Sequence, residues 1–294
     1  MELRTLEYFL TVANELNITK AAKLLHITQP TLSRQLMALE EELDTVLFIR
    51  GKRKITLTSD GLLLKRRAQE ILGLVVKTRS EIAKDDDELE GEIAIGLAEC
   101  HTAHVILPQV IKAFQKLHPR VRFYLTTANA DSTKEGLERG LLDFGILLEP
   151  VDLTNYNYIR SPHKERWGLL VNKEHPLAKH EFLKPDDLIG IPLINTRRPV
   201  VQKEIRSWFM EHYDQLDFVA THNLLSSAYS LIEYNIGSLI TFEGSFKIYS
   251  IDSIVFVPFE PALISGIVIA WKEDYNLSPL MRKFIDAIND AFKA

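Results

Sequence analysis

Residues 18–43, ITKAAKLLHITQPTLSRQLMALEEEL, form the stretch that most constrains what this chain can fold into. The apolar spacing predicts two short helices joined by a tight turn at 26–28. Pro30 favours a helix start at this point, because the N–H group that proline lacks would have no partner in a first turn. Thr28 or Gln29 lies just ahead of it and can cap the new helix. The stretch therefore predicts a helix, a turn and a second helix.

The second of these helices has one apolar face and one polar face. Leucines recur along it at steps of four and three residues, which predicts a buried stripe of Leu32, Leu36, Leu39 and Leu43. The opposite face carries side chains that can donate hydrogen bonds to base edges or phosphates. We predict a helix-turn-helix whose DNA-reading residues are Gln29, Pro30, Thr31, Ser33 and Arg34. An amphipathic helix pair in an all-α core is the alternative that this pattern leaves open.

Residues 48–58 follow with apolar, β-branched ends around a glycine and a run of cations. This pattern predicts a short hairpin, or wing, whose tip presents Arg50, Lys52, Arg53 and Lys54, of which the first three are the predicted DNA contacts. Beside a recognition helix, such cations would lie on phosphates or in a minor groove. On its own, a charge run of this kind is more often a solvated turn.

The order and spacing of these motifs resemble the N-terminal region of LysR-type transcriptional regulators. The similar segments are FLTVANELNITKAAKLLHITQPTLSRQLMALEEEL, then LF-I-R and ITLTSDG, within about residues 1–90, and the likeness continues loosely to the end of the chain. The resemblance implies binding to double-stranded promoter DNA, assembly into a homodimer and further into a homotetramer, and control by a small-molecule effector. One departure is Leu43-Asp44-Thr45, where the family usually has glycine after the leucine.

A long helix is predicted from residue 59 to about residue 83, after a capping sequence at 58–61. Apolar or small residues recur along one side of it, namely Leu64, Ala68, Ile71, Val75 and Ile82. The other faces are too polar for a core helix, so this seam favours pairing with an identical helix. We therefore predict a dimerisation helix that also spaces two DNA-binding heads. One more core helix is the alternative.

An acidic run at 85–90 ends at Gly91 and is the clearest linker in the chain. Beyond it, short strand patterns alternate with helical ones, which predicts an α/β domain with a mainly parallel sheet. The resemblance implies that this domain has two lobes of the periplasmic-binding-protein type, with the chain crossing between them twice.

The predicted fold is therefore multidomain. Its predicted parts are a winged helix-turn-helix, mainly α, at 1–58; a dimerisation helix and hinge at 59–90; and a two-lobed α/β effector-binding domain at 91–294, with lobe I at about 91–161 and 268–294 and lobe II at about 162–267.

Ligands of two-lobed α/β domains bind in a cleft at the carboxyl ends of the strands. Segments predicted to flank it lie at 99–102, 127–129, 195–198 and 222–223. The candidate effector-binding residues, which the resemblance places in the same segments, are Cys100, His101, Thr102, Thr127, Asn129, Thr196, Arg197, Arg198 and Asn223. Most of these residues precede a helix, where free N–H groups favour anions, and the arginines suit a carboxylate. The effector is therefore expected to be a small anion, and solvated arginines in a surface loop are the alternative.

Cys100 lies close in sequence to His101 and His104, which raises a metal site and a catalytic thiol as alternatives. The sequence suggests no fourth metal ligand, and helix capping accounts for these residues. The thiol has no second cysteine to resolve an oxidised form, and an isolated cysteine is usually a small buried residue. We therefore predict no metal and no cofactor besides the effector.

The formal net charge of −5 is unevenly distributed, because residues 50–54 are basic and residues 85–92 are acidic. One cysteine excludes an intrachain disulfide and fits a reducing cytoplasm. No signal-peptide pattern begins the sequence, and no apolar run approaches the length of a membrane span. A cytoplasmic protein without membrane contact is expected.

Three classes of function fit these features to different degrees. The first is a LysR-type regulator, with RNA polymerase as a further candidate partner. The second is a two-lobed α/β enzyme with an accessory DNA-binding head, and the third is a solute-binding protein for transport. A regulator needs binding groups in its cleft but no general base paired with a nucleophile. Because the sequence suggests no such pair, we favour the regulator and do not expect an enzyme.

Overall fold

In the computed structural model, the described residues are 1–50, 55–82, 89–249, 251–274 and 277–293. They form two compact units, residues 1–84 and residues 85–294. Each unit has its own hydrophobic core.

Helices and a two-stranded antiparallel sheet build the described part of the first unit. The elements are α1 (Leu3–Glu15), α2 (Ile18–Leu24), α3 (Gln29–Glu42), β1 (Phe48–Arg50), β2 (Ile55–Leu57) and α4 (Ser59–Ile82). Their apolar faces meet in one core, in which the rings of Phe9 and Phe48 lie 5.2 Å apart. The predicted helix-turn-helix is confirmed as α2 and α3, and the strands of the predicted hairpin are β1 and β2.

Capping side chains define where α2 and α3 begin. Asn17 Oδ1 accepts a hydrogen bond from the Lys20 N–H at 2.9 Å, and Thr28 Oγ1 accepts one from the Thr31 N–H at 3.4 Å. Between the helices, His26 takes a left-handed conformation with φ of 54°. This conformation reverses the chain and brings α2 against α3. The predicted cap at Thr28 is therefore present.

The apolar stripe on α3 is shorter than predicted. Its buried leucines are Leu32, Leu36 and Leu39. Leu43 is 37% exposed because α3 ends at Glu42, so the prediction that Leu43 is buried is wrong. Asp44 takes a left-handed conformation with φ of 48°, and the Thr45 N–H bonds to the Glu40 carbonyl at 3.1 Å. This is the hydrogen-bond pattern of a Schellman C-cap, formed without the glycine that the family usually has.

The predicted dimerisation seam of α4 is partly occupied within its own chain. Ala68 is fully buried in the core of the first unit, and Leu64 and Ile71 are half-buried against the same core. The prediction that Ala68 faces a partner helix is therefore wrong, because helices of its own unit cover it. Val75 is half-buried, and the side chain of Ile82 lies outside the described part of the chain. Apolar side chains that α4 does expose are Leu62, Leu63 and Leu74.

Strands with helices on both faces build the second unit. Its strands are β3 (Glu90–Leu97), β4 (Arg120–Thr127), β5 (Phe144–Leu148), β6 (Tyr156–Asn172), β7 (Pro192–Thr196), β8 (Asp217–His222), β9 (Ser238–Phe242), β10 (Ile254–Pro258) and β11 (Ile264–Lys272). Its helices are α5 (Leu107–Leu117), α6 (Ala130–Glu138), α7 (Pro199–Phe209), α8 (Tyr229–Glu233), α9 (Glu243–Tyr249) and α10 (Pro279–Lys293). A π-helix at Thr102–Ile106 precedes α5, and 3₁₀ helices lie at Pro176–Lys179, Pro185–Leu188, Met210–Gln215 and Leu225–Ser227.

The strands follow the order β4-β3-β5-β11-β6-β9-β7-β8, and β10 pairs with β6 off this path. β3 pairs parallel with β4 and β5, and β7 pairs parallel with β8 and β9. β11 and β6 pair antiparallel with each other and with their other neighbours. The prediction of a mainly parallel sheet is therefore wrong, because the strands that join the lobes run antiparallel to both parallel groups.

Two α/β lobes share β6 and β11. Lobe I contains β3, β4 and β5 with α5, α6 and α10, and lobe II contains β7, β8, β9 and β10 with α7, α8 and α9. β6 pairs with β11 over 156–160 and again over 164–166, and it pairs with β9 and β10 within 167–172. β11 returns along it with a bulge between Gly266 and Val268. The carboxyl ends of the parallel strands of both lobes therefore meet beside the crossing.

Two glycines of α4 lead to opposite predictions for stability. A Cβ at Gly61 would clash with the Leu47 carbonyl oxygen, whereas a Cβ at Gly73 meets no atom within 4 Å. We expect Gly61→Ala to destabilise the chain by about 1–3 kcal/mol through overpacking. Gly73→Ala, the matched control, should stabilise it by about 0.5–1 kcal/mol through helix propensity. Urea unfolding followed by circular dichroism, at one protein concentration, measures both, and a Gly61→Ala midpoint at or above that of Gly73→Ala would contradict the packing.

Candidate DNA-reading surface and effector cavity

The predicted reading end of α3 lies on the surface of the first unit. Gln29, Pro30 and Arg34 are exposed, and Thr31 and Ser33 are half-buried. The Gln29 Nε2 group donates to Ser33 Oγ at 2.8 Å, and the hydroxyls of Thr28 and Thr31 are 2.8 Å apart. These contacts orient the polar side chains of the first two turns before any DNA is bound. The recognition face therefore presents amide, hydroxyl and guanidinium groups together.

A side chain of α3 and one from the residue before α4 hold the base of the wing. Glu40 Oε1 accepts hydrogen bonds from the Leu47 N–H at 2.7 Å and from the Phe48 N–H at 3.1 Å. Thr58 Oγ1 accepts from the Gly61 N–H at 2.9 Å, and its hydroxyl donates to the Val46 carbonyl at 2.7 Å. The wing therefore leaves α3 in a defined direction.

Three predicted DNA contacts of the wing fall at the edge of the described residues or beyond it. Arg50 lies in β1, but its side chain is outside the described part of the chain, as are Lys52 and Arg53 altogether. Their contact with DNA stays a prediction.

A cavity of about 100 Å³ lies between the lobes of the second unit. It is several times larger than the roughly 10–15 Å³ that holds one water, which suits a small ligand. Residues of lobe I on its wall are Ala98, Glu99, Ala128, Asn129, Ala130, Leu148 and Glu149. The wall is completed by Trp167 of β6 and by lobe II residues Thr196, Arg198, Val201, His222, Asn223, Leu224, Leu225, Ile240, Thr241 and Phe242.

The cavity wall contains some of the predicted effector-binding residues and not others. Those on it are Asn129, Thr196, Arg198 and Asn223. Those not on it are Cys100, His101, Thr102, Thr127 and Arg197. Cys100 and Thr102 are fully buried: Cys100 lies in the turn after β3, and Thr102 begins the π-helix that follows this turn. Thr127 and Arg197 are exposed to solvent, so these five predicted residues lie away from the cavity wall.

Several wall residues were missed as ligand contacts. Glu99 and His222 lie in segments that the sequence did single out, next to residues that were assigned instead. Glu149 directly follows β5, so its position at the end of a buried strand was a usable signal. Trp167 carries no local signal, because only the path of β6 between the lobes brings it to the wall.

Arg198 reaches across the cavity from lobe II to lobe I. Its Nε and Nη2 atoms each lie 3.4 Å from an oxygen of Asp131, in the first turn of α6. The side chain of Arg198 is 16% exposed, whereas that of Asp131 is 68% exposed. The pair is a loose ion pair between the lobes, with its cation at the cavity wall and its anion largely in solvent.

The carboxylates on the wall are already engaged. Glu99 Oε2 accepts a hydrogen bond from the Leu225 N–H at 2.7 Å, which is a second link between the lobes. Glu149 Oε1 accepts one from Arg160 Nη2 at 2.9 Å. Both negative charges therefore have donors that stabilise them within the protein.

His222 is the histidine on the cavity wall. Both of its ring nitrogens are buried and make no hydrogen bond of normal geometry with the described residues. Burial lowers the pKa of His222, and the Leu224 backbone and the Glu99 carboxylate only partly oppose this. The ring is therefore neutral at neutral pH, with one nitrogen able to donate and the other to accept.

A buried carboxylate at the crossing binds backbone of both lobes. Glu165 Oε1 accepts from the His101 N–H at 2.7 Å, and Oε2 accepts from the Gly244 N–H at 2.9 Å. A Cβ at Gly244 would clash with this carboxylate. The Thr102 and Ser161 hydroxyls lie 2.9 Å apart beside it. His101 therefore contributes its backbone to the hinge instead of its ring to the cavity.

The thiol of Cys100 is placed for packing. Burial raises the pKa of Cys100 to about 12, so the reactive thiolate is scarce at neutral pH. Among the described residues, no group of three or more His, Cys, Asp or Glu side chains is arranged to hold a metal ion.

Comparisons with known proteins agree with this architecture. The family model described as "LysR substrate binding domain" matches residues 86–293, and the one described as "Bacterial regulatory helix-turn-helix protein, lysR family" matches residues 3–62. The HTH-type transcriptional regulator AlsR of Bacillus subtilis (strain 168) is 29% identical over 301 residues, covering 98% of this chain and 96% of AlsR. The Hca operon transcriptional activator HcaR of Escherichia coli (strain K12) is 28% identical over 295 residues, covering 99% of this chain and 98% of HcaR.

A solved structure shares the fold over the full length. Full-length CbnR complexed with its target DNA superposes with a TM-score of 0.72 at 24% identity, covering 99% of this chain and 100% of CbnR. The chain therefore belongs to the LysR family and is a LysR-type transcriptional regulator, with an N-terminal DNA-binding helix-turn-helix and a C-terminal effector-binding domain. No helix in the described ranges combines the length and hydrophobicity that crossing a membrane requires.

Arg34 is expected to read a base. Arg34→Ala should weaken binding to a DNA site, selected by the protein from a random pool, by about 1–3 kcal/mol and reduce discrimination at one or two positions. Arg206→Ala is the control, since it removes the same charge from a surface ion pair with Asp214 in the second unit. Binding to the selected site and to its single-base variants measures both effects. If the two variants had equal affinity and equal discrimination, Arg34 would not be a residue that reads a base.

Glu40 is expected to position the wing for DNA. Glu40→Ala leaves the Leu47 and Phe48 N–H groups without this acceptor, at a cost of about 1–3 kcal/mol. If the wing cations lie on phosphates, the slope of log affinity against log salt should become shallower. Glu40→Gln keeps an oxygen acceptor and should restore the slope in part. A wild-type slope in Glu40→Ala, even with lower affinity, would indicate a role in stability alone.

Proposed function

We propose that this chain controls transcription in response to a small molecule that binds in the cavity between the lobes of its second unit. The observation that carries the proposal is the composition of the wall, to which both lobes contribute polar groups. A ligand there contacts both lobes at once, so it can favour one arrangement of them over another. It does so only to the extent that it binds that arrangement more tightly.

An enzyme is the alternative, and the described cavity wall supports it poorly. The Thr196 hydroxyl oxygen accepts the Arg198 N–H at 3.3 Å, and the Thr241 hydroxyl lies 3.0 Å from that of Ser245. Neither contact activates a nucleophile by a general base, which covalent catalysis requires. AlsR and HcaR, which this chain matches over nearly their whole length, are named a transcriptional regulator and a transcriptional activator. We therefore propose a regulator without catalytic activity.

Assembly and partners complete the proposal. We propose a homodimer, and beyond it a homotetramer, in which exposed leucines of α4 such as Leu62, Leu63 and Leu74 meet a second copy. Two-fold pairing would match a partly palindromic DNA site. HcaR is named an activator, and activation by this chain would make RNA polymerase a further partner.

Filling the cavity tests the proposed control. Ala128 is a half-buried residue of the wall, and Ala128→Leu places a larger side chain in a space of about 100 Å³. In a screen of small metabolites, we expect at least one compound to raise the melting temperature of the wild-type protein and change its affinity for selected DNA. Both responses should be lost in Ala128→Leu. A compound that acts equally on both proteins, or a screen in which nothing alters DNA affinity, would contradict control through this cavity.

A further inference from the structure

We infer that the ligand of the inter-lobe cavity is a small carboxylate that replaces Asp131 on the guanidinium of Arg198. This inference rests on the proposed function and names the chemistry of its effector. The exchange would convert a direct link between the lobes into a link through the ligand. Asp131 acts as the resident occupant of the site when no ligand is bound.

The geometry of the resident pair favours exchange. Both contacts between Arg198 and Asp131 are 3.4 Å long, whereas strong charge-assisted pairs have distances of about 2.7–2.9 Å. The Asp131 side chain is 68% exposed, so water can solvate it once it leaves. Arg198 is 16% exposed and remains at the wall, where a buried cation needs a partner. A ligand carboxylate at bidentate distance would supply that partner.

Neighbouring groups can complete a carboxylate site around Arg198. Thr196 and His222 are paired residues at the carboxyl ends of the parallel strands β7 and β8, and both are on the cavity wall. Burial lowers the pKa of His222, so its ring is neutral and adds no negative charge beside a bound carboxylate. Arg198 is also the N-cap of α7, an 11-residue helix whose N-terminal end carries partial positive charge. Thr196, His222 and Arg198 therefore all lie on the wall of one cavity.

Two carboxylates on the wall would repel a negatively charged ligand if their charges were not already stabilised. Glu99 is held by the Leu225 N–H and Glu149 by Arg160, so each has a donor of its own. Asp131 is displaced in the exchange, so the ligand's charge replaces a negative charge beside Arg198. An amine bound to Glu99 or Glu149 is the competing ligand class. The apolar remainder of the wall, including Leu148, suits a short hydrocarbon or aromatic body.

Arg197 provides a matched control for this site. It is adjacent to Arg198 and has the same charge, but it is exposed and is not on the cavity wall. Asp131→Asn removes the resident competitor, and Arg198→Gln removes the cation. The exchange therefore predicts opposite effects for the two sides of one ion pair, which a general loss of stability cannot produce.

The experiment measures binding of acetate, propionate and benzoate to the full-length protein by calorimetry, with acetamide, propionamide, benzamide and propylamine as comparison compounds. We expect at least one carboxylate to bind more tightly than its amide. Arg198→Gln should weaken that carboxylate about tenfold or more, as loss of a charged hydrogen-bond partner implies. Asp131→Asn should tighten it by about two- to tenfold, and Arg197→Gln should leave it unchanged.

The exchange would be overturned if no carboxylate bound, if acid and amide bound equally, or if propylamine bound more tightly than the carboxylates. Weaker carboxylate binding in Asp131→Asn would overturn it as well. Affinity for selected DNA, measured with and without each compound, distinguishes failure of the carboxylate exchange from failure of the proposed function. If an amide or amine binds and changes DNA affinity, control through the cavity stands and the carboxylate assignment falls. If carboxylates bind as expected but DNA affinity never changes, the site stands and the control falls.

Discussion

The carboxylate of Glu165 is the contact on which the arrangement of the second unit depends. It lies on β6 at the crossing and accepts the N–H of His101 from lobe I and that of Gly244 from lobe II. Burying a carboxylate costs several kcal/mol unless charge-assisted hydrogen bonds replace its water. Glu165 therefore stabilises chiefly the arrangement in which both lobes reach it. Gly244 is part of the same constraint, because any side chain there would occupy the space of the carboxylate.

The cavity follows from that constraint. Two residues before His101, Glu99 extends from the same turn and binds the Leu225 N–H of lobe II. The links through Glu165 and Glu99 are buried, whereas the pair of Arg198 and Asp131 is long and partly exposed. The lobes are therefore held firmly at the first two contacts and weakly at the third. A ligand acts most readily on the weaker contact, because less interaction free energy is lost when that contact is broken.

In the first unit, too, a carboxylate on one element fixes the position of another. Its recognition helix is specified locally, by caps at Thr28 and by the C-cap at Asp44. The direction of the wing is not local, since Glu40 must reach the N–H groups of Leu47 and Phe48 seven and eight residues further along the chain. A carboxylate on the recognition helix thus serves the wing instead of DNA, which explains its presence close to a surface that binds phosphates.

Sequence by itself determined the helix-turn-helix, the wing strands and the alternation of strands and helices, because caps, turns and apolar periodicity act over a few residues. Only the tertiary structure decided which residues face the cavity. Arg198 is on the wall while Arg197 is in solvent, and Glu99 is on the wall while Cys100 is in the core. Adjacent side chains leave the backbone in opposite directions, and their partners, such as Asp131, lie far away in the chain. Local patterns identified the segments that flank the cavity. The packing of the two lobes around the crossing decided which side chain of each segment faces it.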